Sequence, residues 1–409
     1  MKIIISHPTS NQNSRAVIKG LYNANLLYQF QTSVAVFEGD IWDRLSHFKP
    51  LKELSRRQFE EVLKPYTKTA PCMELSRLLS ARLGLKSLVR HETGLFSVDA
   101  VYQHLDKQVA SHLKQASKQG LDAVYGYEDG AFQSFTAAKQ LGMQCLYDLP
   151  IGYWRAARRL LQQEIDLWPE WKATLHGFDD SEAKLQRKDT ELALADRILV
   201  ASSFTAKTLK DYPGTLAPIE VIPYGFPKPV AKRAYRIASP IKLLFVGGLS
   251  QRKGLANMFA AVDSLLPHVQ LTVIGHKSTE ACEPLNKALA KHHWIPSLPH
   301  SEVLKQMQAH DVLLFPSLFE GFGLVITEAM SQGTPVITTD RTAGPDIIEH
   351  DTNGWLVEAG STLALQACLE TLIANPQKII DAGKAAIETA RQRPWSVYGK
   401  ELAEAIQRG

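Results

Sequence analysis

Short β-branched runs alternate with longer helical patterns along this chain, and no other feature restricts its fold as much. The runs are KIIIS, VAVFE, AVYGY, CLYDLP, RILVAS and IEVIP, then IKLLFVGG, LTVIG, DVLLFPS and TPVITT. Strand-helix alternation is the pattern of parallel sheets covered on both faces, so the chain reads as α/β throughout. At 409 residues with 45% hydrophobic side chains it exceeds what one core organises. Two doubly wound, Rossmann-like domains are expected. The segment YGFPKPVAKRAYRIASP, from Tyr224 to Pro240, is rich in proline and poor in apolar residues, and marks the boundary. The first domain is assigned to residues 1–228 and the second to 229–393, and residues 44 to about 118 read as a basic helical insertion lying as a flap on the first.

The balance of 46 Lys and Arg against 42 Asp and Glu leaves +4, too little to argue for nucleic acid. The charge is uneven, because 11 cations stand against 4 carboxylates between Arg44 and Arg90. Such a surface is ordinarily a solvated face, and it also permits peripheral docking on an anionic membrane. Cys72, Cys145, Cys282 and Cys368 are far apart and lack metal-ligand spacing, which argues against a zinc site or a disulfide framework. With no signal-like or membrane-spanning run, a cytoplasmic location is expected, with contact at the inner face of the cell membrane as an option.

Two doubly wound domains direct the carboxyl ends of their sheets toward a common crevice, where open α/β sheets bind ligands. FPSLFEGFGLVITEAMSQGTPVI, from Phe315 to Ile337, belongs at that crevice. It reads as a strand, a loop and a helix, with Glu320 and Glu328 separated by seven residues. The amides near Gly323, Leu324 and Val325 become first-turn donors at the positive end of the helix. Gly321 and Gly323 let a ligand approach the backbone. Glu328 is placed to accept two hydrogen bonds from a ribose diol. The plainer account makes both glutamates helix-terminus or surface carboxylates, worth about 0.3 to 1 kcal/mol each.

FVGGLSQRKGL supplies a second anion-binding element, with cations at Arg252 and Lys253 beside the same crevice. A departing diphosphate needs such donors and cations, although a solvated loop is the plainer reading. Neither a GxGxxG fingerprint nor a P-loop ending is present, which weighs against hydride transfer and ATP hydrolysis. His276, after LTVIG, is a candidate for the nucleotide pocket.

These segments, together with LADRILVASSFT, VIPYG and TAGPDIIEHDTNGWLV, resemble the retaining GT-B glycosyltransferases of family 4, whose EX7E segment matches the Glu320 to Glu328 stretch. The resemblance is strong over about residues 195 to 360 and loose before them. It implies a GT-B architecture, a nucleotide diphosphate sugar as donor, retention at the anomeric carbon, and no metal or cofactor. No DxD triplet is found. By the same resemblance Glu320 stabilises positive charge at the anomeric centre, Glu328 holds the ribose, Gly321, Phe322, Gly323 and Leu324 offer backbone donors, and Lys253 holds the diphosphate. Where many members read G-R-L this chain reads Gly247, Gly248, Leu249, so Arg252 is the candidate replacement for the phosphate-binding arginine. Residues 394–409 resemble the GT-B helix that crosses back to the first domain, with Trp395 and Tyr398 as packing residues at the hinge.

The first domain departs further from the family. Its opening loop, SHPTSNQNSR, lacks the usual glycines and offers His7, Ser10, Asn11 and Asn13 to a polyhydroxyl acceptor. A family histidine is missing near the sugar. Asp148, in CLYDLPIGYW, is the catalytic candidate there, for orienting a sugar hydroxyl or the acceptor, and a turn-stabilising role is its alternative. Glu128 and Asp129, in YGYEDG, are acceptor-side candidates. The expected activity is transfer to a glycan, glycolipid or lipid-linked acceptor. A GT-B sugar-nucleotide epimerase and a non-catalytic nucleotide-sugar-binding subunit are the alternatives.

Overall fold

The computed structural model describes residues 1–46, 54–175 and 179–408. Lys49 and Lys52, two of the cations counted above, lie outside the described residues.

A seven-stranded sheet is built from β1 (Ile3–Ser6), β2 (Leu27–Thr32), β3 (Thr67–Thr69), β4 (Ala123–Tyr127), β5 (Gln144–Leu149), β6 (Arg197–Val200) and β7 (Ile219–Val221). Its order is β3-β2-β1-β4-β5-β6-β7, with every pair parallel. A six-stranded parallel sheet follows, from β8 (Ile241–Val246), β9 (Val269–Ile274), β10 (His293–Ile295), β11 (Val312–Phe315), β12 (Val336–Thr339) and β13 (Trp355–Val357). Its order is β10-β9-β8-β11-β12-β13. The order reverses beside β1 in the first sheet and beside β8 in the second. Between β8 and β11 the loops diverge and leave a crevice at the carboxyl ends of the strands. Both glycine-rich segments singled out in the second domain leave these two strands.

The central strands are apolar on both faces because helices cover both. Ile3, Ile4 and Ile5 of β1 and Val312, Leu313 and Leu314 of β11 are all buried. No regular element occurs between Val221 and Ile241. Arg233 and Tyr235 fasten this connection to the second domain, with the Tyr235 hydroxyl donating to the Gly333 carbonyl at 3.0 Å and Arg233 Nη1 to that of Gln332 at 3.2 Å.

Helix Trp395–Arg408 returns to the first domain and packs on helix Gln12–Asn23. A Cβ on Gly20 would lie 2.0 Å from the Gly399 carbonyl oxygen, so the two backbones touch. Trp395 and Tyr398 pack around Tyr224, at ring separations of 5.8 and 5.1 Å.

Two parts of the first domain differ from the sequence reading. VAVFE is a buried loop rather than a strand, and the strand is the preceding LYQFQT, whose glutamines mask its pattern. The segment from 44 to 118 is not simply a flap. Its Thr67–Thr69 forms an edge strand, and helix Val98–Ser117 buries Val101, Leu105, Val109 and Leu113. A three-residue polar edge strand carries no hydrophobic periodicity to reveal it. No helix among the described residues is long and apolar enough to cross a membrane.

Candidate functional site

The loops after β8 and β11 are packed into one unit at the crevice. Gly254 takes φ +70°, and a Cβ there would lie 2.2 Å from the Pro316 carbonyl oxygen. The Leu318 amide donates to the Arg252 carbonyl at 2.9 Å. This packing delivers Arg252 and Lys253 to the buried carboxylate of Glu320. Arg252 Nη1 donates to Glu320 Oε1 at 2.6 Å and to the Phe319 carbonyl at 2.7 Å. The Lys253 ammonium pairs with the other carboxylate oxygen, Oε2, and stands 4.7 Å from the centre of the Phe315 ring.

Burial draws the Lys253 ammonium down to about 8, against which the Glu320 charge acts. Burial by itself would raise the Glu320 carboxyl, but the charges of Lys253 and then Arg252 outweigh it and hold it below the usual carboxylate range. Two cations against one carboxylate leave this triad one positive charge in excess, which suits an incoming anion.

Gly323 ends the loop at φ +88°, and a Cβ there would approach the Phe315 ring to 2.8 Å. Helix Leu324–Ser331 begins without a side-chain cap. The amides of Gly323, Leu324 and Val325 have no protein acceptor among the described residues. Glu328, one turn on, meets His300 at 3.0 Å. Burial pushes its carboxyl up, and His300 draws it partway back. His300 was not found in the sequence, because it lies 28 residues away at the start of another helix and belongs to no motif.

Gly321 has a second role. A Cβ there would lie 1.9 Å from the Pro150 carbonyl oxygen, so the glycine allows the loop to touch the first domain. Ser202 and Thr205 donate to the Gly321 carbonyl at 2.5 and 3.0 Å. Phe319 packs edge-on against Phe204 and Phe322 against Tyr224, at 5.5 and 4.9 Å. These partners follow β5, β6 and β7, so that half of the first sheet's carboxyl edge docks on the motif.

Around Gly248 the space is open, with nothing within 4 Å of a built Cβ. His276 is exposed, and its carbonyl accepts from the Leu249 amide at 3.1 Å. It therefore stands beside the Gly248 loop.

The first-domain candidates are engaged locally. His7 Nδ1 accepts the Ser10 and Thr9 amides at 2.7 and 3.2 Å. Burial and then the charge of Arg57 push His7 down to about 3, so its ring is neutral. Ser10 approaches the Thr32 hydroxyl, Asn11 caps helix Gln12–Asn23 through the Ser14 amide, and Asn13 donates to the Tyr224 hydroxyl. Asp148 is buried and accepts the Tyr125 hydroxyl at 2.6 Å rather than turn amides. Burial pushes its carboxyl up to about 7. Glu128 and Asp129 face helix Glu182–Leu194, pairing with Lys188 at 3.5 and 3.7 Å, and Asp129 also meets Arg187. The structure thus gathers Glu320, Arg252, Lys253, Gly323 and Glu328 around one helix start, whereas Glu128 and Asp129 hold a helix of the first domain.

Residues 228–393 match the family model described as glycosyl transferases group 1. Among curated proteins, a 187-residue segment is 29% identical to "Amylovoran biosynthesis glycosyltransferase AmsK" of Erwinia amylovora, covering 41% of this chain and 45% of the relative. The chain spans about half the length of the curated relatives it matches, from 41 to 52% of them. Among solved structures, sucrose-phosphate synthase from Thermosynechococcus elongatus superposes with a TM-score of 0.64 at 17% identity, covering 100% of this chain and 98% of that one. Anabaena Alr3699/HepE in complex with UDP gives 0.61 at 15%, covering both chains completely. At these identities the likeness concerns the fold, and the fold is GT-B: two Rossmann-like domains facing a crevice.

Proposed function

With residues 228–393 matching the family model of glycosyl transferases group 1, we propose that this chain is a retaining, metal-independent glycosyltransferase that takes a sugar from a nucleotide diphosphate sugar. The observation that carries this reading is the Arg252, Lys253 and Glu320 triad, set beneath unpaired first-turn amides at the switch point of the second sheet. A diphosphate presents negative oxygens to Lys253, Arg252 and these amides, and Glu328 accepts from the ribose hydroxyls. The solved complex of Alr3699/HepE with UDP and glucose lends this donor class support.

In the proposed step the bond from the anomeric carbon to the diphosphate oxygen breaks, and its electron pair leaves on that oxygen. The acceptor hydroxyl oxygen bonds to the same carbon on the same face, and its proton passes to the departing diphosphate. Lys253 and Arg252 offset the charge growing on the leaving group. The Glu320 carboxylate stabilises positive charge at the sugar. Closure of the domains over the donor excludes water and so favours transfer over hydrolysis. The acceptor, a glycan or a lipid-linked sugar, is assigned to the first domain. There Asp148 acts through Tyr125 and its neighbours rather than as an exposed base.

Thermal unfolding of the wild type and Glu328→Ala against UDP, GDP, ADP, TDP and CMP compounds tests the donor site. A ligand at 100 times its dissociation constant adds about 2.7 kcal/mol. One nucleotide should stabilise the wild type and the variant about tenfold less tightly. No shift with any nucleotide would sink the reading. One observation favours a non-catalytic nucleotide-sugar-binding subunit instead, namely that Glu320 is already engaged by two cations while Gly248 carries no arginine. Product formation by the purified chain removes that alternative, and release of free nucleotide and altered sugar without any acceptor would indicate the epimerase.

A further inference from the structure

The carboxyl edge of the first sheet has two halves. The ends of β5, β6 and β7 touch the Gly321 loop, and the ends of β1 and β3 border a cavity of about 610 Å³. Thr9, Ser10 and Asn11 form one wall of it, and four arginines, Arg56, Arg57, Arg77 and Arg82, reach it from the others. Two of these come from the segment preceding β3. The other two come from helix Pro71–Arg82, which follows β3.

Glu74 answers two of them. It is buried, pairs with Arg57, and accepts from Arg77 Nε and Nη2 at 2.7 and 2.8 Å. Arg56 and Arg82 are exposed, and their guanidinium groups have no ion pair among the described residues. The Arg56 backbone is nevertheless fixed, because Arg15 donates to the carbonyls of Arg56 and Gln58 at 2.5 and 2.6 Å. Among the described residues, four guanidinium groups border one cavity and the single carboxylate of Glu74 pairs with two of them, so cations outnumber anions there. That is unlike a solvated basic face, where each cation turns outward alone.

We propose that this cavity binds a phosphate-bearing group on the acceptor, so that the sugar is passed to a phosphorylated compound rather than a neutral glycan. The inference rests on the reading of the first domain as the acceptor side. A phosphate offers tetrahedral oxygens and up to two charges, which several guanidinium forks can share, whereas a single carboxylate fills one fork. Buried Arg57, tied to Glu74, forms the fixed wall, while Arg56 and Arg82 at the rim close on the anion. The Ser10 and Thr9 backbone, held by His7, sets the opposite wall.

The test is calorimetric titration of the full chain with glucose 6-phosphate, farnesyl diphosphate, glucose and glucuronate, each with and without the nucleoside diphosphate that stabilises the protein. The partner variant is Arg56→Gln/Arg82→Gln, which changes only exposed side chains. At least one phosphorylated probe should bind about tenfold or more tighter than glucose and glucuronate, lose about 100-fold in the double variant, and weaken with added salt. Preference for glucose 6-phosphate identifies a soluble sugar phosphate, and preference for farnesyl diphosphate identifies a lipid-borne one. Equal binding of glucuronate, or of the phosphorylated probes by the wild type and the double variant, overturns the proposal. Nucleotide binding is read in the same cell. A protein that binds phosphorylated probes through Arg56 and Arg82 but no nucleotide would therefore remove the donor reading and leave the cavity standing.

Discussion

Lys253 and Glu320 form a buried ion pair across the crevice of the second sheet, and Arg252 shares the same carboxylate. The pair joins the loop after β8 to the loop after β11, two strands that are neighbours in the sheet though nearly 70 residues apart in the chain. Burial costs both charges some hydration, and each is kept ionised by the other.

Glu320→Gln keeps the shape but removes the negative charge and leaves one oxygen where Arg252 and Lys253 now share two. Turnover is expected to fall by about 100-fold or more, with nucleotide binding little changed. Steady-state rates and nucleotide titration on one preparation check this. Full turnover in the variant would show that the carboxylate charge has no part in the chemistry.

The Lys253 ammonium titrates at about 8 in the folded chain, against 10.5 ordinarily. Between these values the unfolded chain holds more of this proton than the folded one, so the contribution of Lys253 to stability rises with pH across that window. Nucleoside diphosphate affinity should move the other way and weaken above about pH 8, because the neutral amine no longer attracts the anion. Lys253→Arg keeps its charge and should abolish that inflection. An identical pH profile in wild type and variant would assign the inflection to another group.

Gly248 stands where the resemblance to family 4 leads one to expect an arginine, and a Cβ there meets nothing within 4 Å. Gly248→Arg should fold normally and bind the nucleoside diphosphate about tenfold tighter. An unchanged dissociation constant would mean that Arg252 already fills the arginine's role, or that the diphosphate does not pass this loop.

Asp148 gives a second pH signature. Its buried carboxyl titrates at about 7 rather than 3.8. Between about pH 4 and 7 the folded chain retains a proton that the unfolded chain has lost, so its stabilising contribution is complete at the acid end and is lost as pH rises through 7. Asp148→Asn keeps an acceptor for the Tyr125 hydroxyl and removes the titration. Denaturant midpoints should therefore depend less steeply on pH in the variant, by an amount on the order of a few kcal/mol across the window. Parallel curves would show that Asp148 stays ionised in the fold.

The sequence by itself determined the α/β class, the two sheets and the segment that separates them. Strand-helix alternation and a proline-rich linker are local patterns, written in consecutive residues. It also singled out the two loops that the fold packs together at the crevice, because glycines, carboxylates and cations recur at short spacings within FPSLFEGFG and FVGGLSQRKG. Tertiary structure decided what each group touches. Glu320 answers Lys253 and Arg252, Glu328 answers His300, and Gly321 meets Pro150, all over long separations in the chain. Edge strand β3 and the arginine cavity were hidden for the same reason, since a three-residue polar strand and four scattered cations acquire meaning only when the sheet places them side by side. Asp148 and Tyr125 complete the contrast: alternation put the aspartate on a strand, but only the parallel pairing of β4 with β5 brought the tyrosine hydroxyl onto its carboxylate, and only burial in the packed core pushes that carboxyl up against the hydrogen bond.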